Sequence, residues 1–405
     1  MQNVTDVDDK IIAAAAEQGR SVEDLAVEAT AAFKKAYRSL GVLDPTVEPR
    51  ATEHVPEMIE MIESLIEAGH AYPAGGDVYF SVRSYDDYGK LSGRDIDGLR
   101  SGARIEPSRH KRDPLDFALW KAAKPGEPTW ASPWGDGRPG WHIECSAMAR
   151  KYLGDSFDIH AGGNDLVFPH HENEIAQAEA ANGRPFSRYW IHNGMVNLGG
   201  EKMAKSTGHT VDLLSALEKY PPLAIRLFYL RTHYRKPLEF SAAALDDAAN
   251  SLDRLWSFRR RAPLYVEDEP DPEVIDAFRA AADNDFDMAG GLAVLFDAVR
   301  DGNARFDAGG DVGSIVSAYD EIVTVLGIAE PPPGLGDIAE DLARLTESHG
   351  VGPAEGDEAV ALLLVRRASA RSEGDWAFAD AIRDSLVALG IVIEDSADGA
   401  RWHRG

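Results

Sequence analysis

Phe168-Pro169-His170-His171-Glu172-Asn173-Glu174-Ile175-Ala176-Gln177 is the stretch from which the rest of the chain can be read. Pro169 can open a helix, because the first helical residue needs no amide donor. Asn182-Gly183 can close it, because glycine tolerates the left-handed cap. His170 and Glu174 then stand four residues apart on one helical face, with His171 pointing elsewhere. An imidazole and a carboxylate so placed can share a zinc ion. Two His and two Glu also suit a plain solvated helix, so the neighbours must decide.

The neighbours alternate in type. Phe157-Asp158-Ile159-His160 reads as a strand, Ala161–Leu166 as a loop, and Tyr189–Val196 as a further strand bounded by Gly199-Gly200. Strand, loop and helix in this order predict a parallel α/β sheet, which binds ligands at the carboxyl ends of its strands. Upstream, a strand end at residues 1–5 leads into a helix with Ile11, Ile12 and Ala15 that stops at Gly19. Ser21 with Asp24 resembles a capping box for a helix carrying Val22, Leu25, Ala29, Phe33 and Tyr37. After Thr52, the stripe Val55, Met58, Ile59, Ile62, Leu65 and Ile66 marks a third helix with a core face.

Pro73, Gly75 and Gly76 mark a turn before the strand Asp77–Val82. Ser92–Trp134 is rich in Gly, Pro, Arg and Asp and predicts a small irregular insertion packed by Trp120, Trp130 and Trp134. Beyond about residue 210 the pattern is helical. Pro331–Gly334 reads as a linker. Ala359–Gly405 reads as two helices followed by one short strand, Gly390–Asp395.

The chain has 405 residues and a formal net charge of −26. Such acidity argues against nucleic acid. It equally suits a salt-rich cytoplasm, where an acidic surface keeps proteins soluble. At molar salt the Debye length falls to roughly 3 Å, so net charge does not veto a polyanionic partner. No apolar run is long enough to span a membrane. Met1–Lys10 lacks the basic-then-apolar order of a signal peptide. Cys145 is the only cysteine, so no internal disulfide forms and the cytoplasm is the expected compartment.

A second motif, Glu201-Lys202-Met203-Ala204-Lys205-Ser206, follows a strand and a double glycine. Two lysines three apart on a loop can neutralise charge that builds on a leaving pyrophosphate. With Gly140-Trp141-His142-Ile143-Glu144-Cys145, the His-Glu stretch, Asn3–Ile12, His192–Met195 and Leu238–Ser241 in one order, the chain resembles cysteinyl-tRNA synthetases, class I enzymes, along its whole length. Asp283–Phe286 and the terminal Arg401-Trp402 belong to the same likeness.

That resemblance implies a cysteine–tRNA ligase: ATP activates L-cysteine as its adenylate, and the cysteinyl group passes to tRNA(Cys). It implies one zinc ion on Cys145, His170 and Glu174, and ATP as substrate with Mg2+. Thr5, Trp141 and His160 match the cysteine pocket, Asp165 and His192 the nucleotide side, and Lys202 and Lys205 the catalytic lysine loop, with Lys205 on ATP. Ala204 stands where the family carries serine. His142 and His171 are expected only to support the site. A monomer is favoured.

The implied fold is α/β plus α. An incomplete class I Rossmann-type domain with an insertion precedes a helical bundle and a small anticodon-binding unit. The partition expected is catalytic residues 1–72 and 136–200 around an insertion at 73–135, a lysine-loop junction at 201–240, a bundle at 241–350 and a C-terminal region at 351–405. The family's His-Ile-Gly-His signature and its second zinc cysteine occur nowhere in the chain. On that ground the 405-residue form is expected to be inactive or very weak. Two rival readings follow: a non-catalytic tRNA-binding paralogue, and a cysteine ligase with a small amino-sugar acceptor.

Overall fold

The computed structural model describes residues 1–95, 110–198, 201–202, 213–262, 266, 268–331, 335, 338–352, 354, 356–396 and 399–404. The chain forms two compact units, Met1–Ile328 and Ala329–Gly405.

The first unit opens on three helices. Asp8 caps α1 (Asp9–Gln18) by accepting the Ile11 amide at 2.7 Å, and Gly19 closes it at φ +63°. The Ser21 hydroxyl caps α2 (Val22–Ser39) on the Asp24 amide, as the capping-box reading expects. On this helix the Phe33 and Tyr37 rings lie tilted against each other, 39% exposed, and Ala26 and Ala36 are the buried positions. Residues 1–5 make one parallel bridge, Val4 with Arg50, rather than a strand end. In α3 (Val55–Glu67) the stripe Val55, Met58, Ile62 and Leu65 is buried to 2% or less.

The strand predicted from Asp77 forms, and three further strands join it in a sheet. β1 (Ala71–Ala74), β2 (Asp77–Phe80), β3 (Phe117–Ala122) and β4 (Gly137–Pro139) form one antiparallel sheet in chain order. Trp120 is fully buried, with Trp134 edge-on against it.

Next comes the unit that positions the site. α4 (Trp141–Leu153) precedes β5 (Phe157–Gly163), α5 (Glu172–Asn182) and β6 (Ser187–Asn193). β5 and β6 pair in parallel, with His160 opposite Trp190 and Gly162 opposite His192. Pro169 does not open the helix. It follows a cis peptide bond inside a wide turn, Val167–His171, and α5 begins at Glu172.

The predicted strand Tyr189–Val196 is divided. β6 ends at Asn193, and β7 (Val196–Leu198) pairs instead with β8 (Glu201–Lys202) and β9 (Leu238–Phe240). The break falls at Gly194, where a Cβ would lie 2.0 Å from the Lys236 carbonyl oxygen, so only glycine fits.

α6 (Leu213–Leu217), α7 (Pro222–Leu230) and α8 (Ala242–Arg261) lead into a bundle with α9 (Pro272–Asp283), α10 (Met288–Asp307) and α11 (Gly313–Leu326). Leu255, Phe258, Leu295, Ile315, Tyr319 and Ile322 form its core. The second unit packs α12 (Ala339–Ser348), α13 (Gly356–Ser372) and α14 (Trp376–Ala388) over Leu342, Leu363, Ile382 and Leu386. Where one terminal strand was expected there is an antiparallel pair, β10 (Ile391–Ser396) and β11 (Gly399–Arg404). No helix among the described residues is long and apolar enough to cross a membrane.

Candidate metal centre

Two helices bring the metal-type side chains together. Cys145 lies in the second turn of α4, and His170 and Glu174 lie in the wide turn and first turn of α5. The Gln177 side chain ties the helices by donating to the His142 carbonyl at 3.0 Å and the Ser146 hydroxyl at 3.1 Å. Cys145 Sγ is 3.6 Å from His170 Nε2, and His170 Nε2 is 2.7 Å from Glu174 Oε1. All three residues are buried.

The electrostatics call for a cation. Burial pushes the Cys145 thiol well above its ordinary pKa, and the Glu174 and Glu144 carboxylates push the same way. Burial also opposes ionisation of Glu174, but His160 and His170 outweigh it and hold this carboxyl below the usual range. The two Glu174 oxygens face imidazole nitrogens at 2.7 and 3.1 Å. A buried carboxylate set among imidazole nitrogens suits a ligand sphere. One thiol, one imidazole and one carboxylate within 4.8 Å fit zinc, with a coordination position left open.

Around this triad the histidines interlock. His142 Nδ1 lies 2.8 Å from His170 Nδ1, which leaves His170 Nε2 to face Cys145 and Glu174. This contact suits the supporting role expected of His142. Burial lowers its pKa to about 3, so it is neutral. His171 departs from the expectation that it points elsewhere: with His160 it forms a second group around Glu174. The widened turn swings both consecutive histidines inward, which a regular helix would not do.

The other expected site residues are placed as follows. The Trp141 ring lies 4.0 Å from the His170 ring and is 43% exposed, so it forms a wall open to solvent. His160 Nε2 is 3.1 Å from Glu174 Oε2. Burial pushes the Glu144 carboxyl, one residue before Cys145, well above its ordinary pKa, with Asp6 and Asp8 pushing the same way and the Thr5 side chain opposing. Asn3, which the sequence reading did not single out, donates to Cys145 Sγ at 3.4 Å. His192 lies next to last in β6 and its Nε2 meets His171 Nδ1 at 2.8 Å. Asp165 sits in the short turn after β5, exposed at the carboxyl end of that strand. Lys202 pairs through its backbone with Asn197, while its side chain and all of Lys205 fall outside the described residues. Asn3 had one legible signal: it opens the Asn3–Ile12 stretch that carries the family likeness.

Comparison with known proteins agrees with this geometry. Residues 1–250 match the family model described as tRNA synthetases class I (C) catalytic domain. Residues 354–402 match the cysteinyl-tRNA ligase anticodon binding domain. The fold is therefore that of a class I aminoacyl-tRNA synthetase. The cysteine–tRNA ligase of Halorhodospira halophila is 48% identical over 410 residues, covering 100% of this chain and 86% of its own. Those of Alkalilimnicola ehrlichii and Streptomyces avermitilis are also 48% identical, with the same two coverages. The chain belongs to the cysteine–tRNA ligase family, and its activity is that of a tRNA ligase.

Proposed function

We propose that this protein activates L-cysteine with ATP and transfers it to tRNA(Cys), with one zinc ion held by Cys145, His170 and Glu174. The observation that carries the reading is the buried thiol–imidazole–carboxylate triad beneath the Trp141 ring. A zinc ion there supplies a position that takes a thiol side chain and discriminates against a hydroxyl. Trp141 and His160 wall the pocket beside it, and Thr5 holds the Glu144 end.

His192 and Asp165, at the carboxyl ends of the parallel strands, would face ATP and its Mg2+. Lys202 and Lys205 would neutralise charge on the departing pyrophosphate, with Lys205 on the nucleotide. Catalysis is positional and electrostatic and needs no covalent enzyme intermediate. The domain partition goes with this reading: catalytic residues 1–72 and 136–200, insertion 73–135, lysine-loop junction 201–240, bundle 241–350 and anticodon-reading residues 351–405. The anticodon-binding match over residues 354–402 favours tRNA over a small amino-sugar acceptor. A single buried free cysteine suits a reducing cytoplasm.

The test is metal analysis combined with equilibrium dialysis of labelled cysteine against serine. Equimolar zinc and retention of cysteine over serine are expected. Loss of both in Cys145→Ser is expected too. A protein that holds no zinc at equimolar supply, or that binds serine equally well, overturns the reading.

A further inference from the structure

Glu174 has two buried oxygens, and each faces a different group of donors. Oε1 belongs with His170 and Cys145, while Oε2 lies 3.1 Å from His160 Nε2. His160, His171 and Glu174 place one ligand atom each within 4.8 Å of one another, which is the spacing of the first triad. Glu174 and His171 are buried and His160 is half-buried.

The supporting contacts repeat as well. In the first triad His142 lies on His170 Nδ1 and leaves Nε2 for the ligand sphere. In the second, His192 Nε2 lies 2.8 Å from His171 Nδ1 and likewise leaves Nε2. A ligating imidazole generally has its other nitrogen tied in this way, which fixes tautomer and ring orientation. Gly162 makes the room: a Cβ there would lie 2.7 Å from His171 Cε1 and 3.0 Å from Nε2.

We propose that His160, His171 and Glu174 form a second divalent-cation site, bridged to the first by the Glu174 carboxylate. Its donors suit zinc, cobalt or nickel and not magnesium, because imidazole nitrogens outnumber oxygens. The second site is the weaker one. It lacks a thiolate, and its single carboxylate is shared with a cation already in place. Filling it ties up His160, the residue placed beside the cysteine pocket, so an excess of such a cation occupies that pocket's wall.

The experiment is a cobalt(II) titration of the chelator-stripped full chain, followed by absorption spectroscopy. Two equivalents per chain are expected. The first brings thiolate-to-cobalt charge transfer from Cys145, and the second adds ligand-field absorption without more charge transfer. His171→Ala should lose the second equivalent and keep the charge-transfer band, with circular dichroism confirming the fold. If His171→Ala does not fold, His160→Gln serves in its place with the same expectation. Saturation of the wild type at one equivalent with charge transfer overturns the second site and leaves the proposed zinc triad standing. One equivalent without charge transfer overturns both. Two equivalents retained by a folded His171→Ala or His160→Gln variant overturn the assignment of these residues.

Discussion

The buried carboxylate of Glu172 accepts the Ser92 amide at 2.8 Å. It also accepts the Gly89 amide at 2.9 Å, and the neighbouring Asn173 takes the Tyr88 hydroxyl. The helix that presents Glu174 to the metal centre on one side thus holds the Tyr88–Ser92 loop on the other. Replacing Glu172 by alanine leaves these buried amides unpaired, at a cost of about 3 kcal/mol for bonds to a charged acceptor. The expected result is a lower thermal midpoint and faster hydrogen exchange at Gly89 and Ser92. Unchanged exchange at those amides would contradict this account.

Arg226 works at longer range. Its Nε donates to the Leu326 carbonyl at 2.8 Å and its guanidinium to the Leu40 carbonyl at 3.2 Å, so one side chain caps the ends of α11 and α2. Lysine cannot reproduce that fork. Arg226→Lys should lose about 1–3 kcal/mol of stability, measured by denaturant unfolding. Gly327→Ala should also destabilise, because Gly327 sits at φ +64° with the guanidinium 2.7 Å from where a Cβ would stand.

Acid should loosen the contact between α1 and the β3–β4 strand pair. Burial raises the Asp9 pKa, but hydrogen bonds and charge from Lys121 and Arg138 outweigh it and bring the carboxyl down to about 2. Its folded pKa lies below its ordinary value, so its contribution is complete above about pH 4. The contribution disappears as pH falls toward 2. Asp9→Asn should therefore be less stable than wild type at pH 7, with the gap closing on acidification. A gap independent of pH in urea unfolding at pH 6, 4 and 2.5 would show that Asp9 contributes otherwise.

His142 should tune the metal without binding it. It touches His170 on the nitrogen away from Cys145 and Glu174. Removing such an outer partner typically lowers metal affinity 10–100-fold. His142→Ala should show a loss of that size in chelator competition, with zinc stoichiometry unchanged. A loss of stoichiometry would instead make His142 a ligand.

Much of the local structure was legible because it depends on neighbours in sequence. Asp8 and Ser21 cap their helices, Gly19 ends the first, and the Val55–Leu65 stripe is buried as its period requires. Cys145, His170 and Glu174 could be named because their residue types and order carry the family likeness, and they converge in space. The exposure of Phe33 and Tyr37, the three strands that join the predicted Asp77–Val82 strand in one sheet and the second strand of the terminal pair were not legible. Each depends on partners that periodicity does not reveal.

What the amino-acid order determined by itself is therefore the family, the helices with strong caps and stripes, and the donor types of the metal centre. Caps and stripes act over three or four residues, within the reach of local pattern. Only the tertiary structure decided that a wide turn swings His171 inward, that Glu174 faces His170 with one oxygen and His160 with the other, and that Glu172 and Arg226 hold segments far away in sequence. Those outcomes depend on which carbonyls, amides and rings are brought within hydrogen-bond distance once the helices pack, and packing is a property of the whole chain.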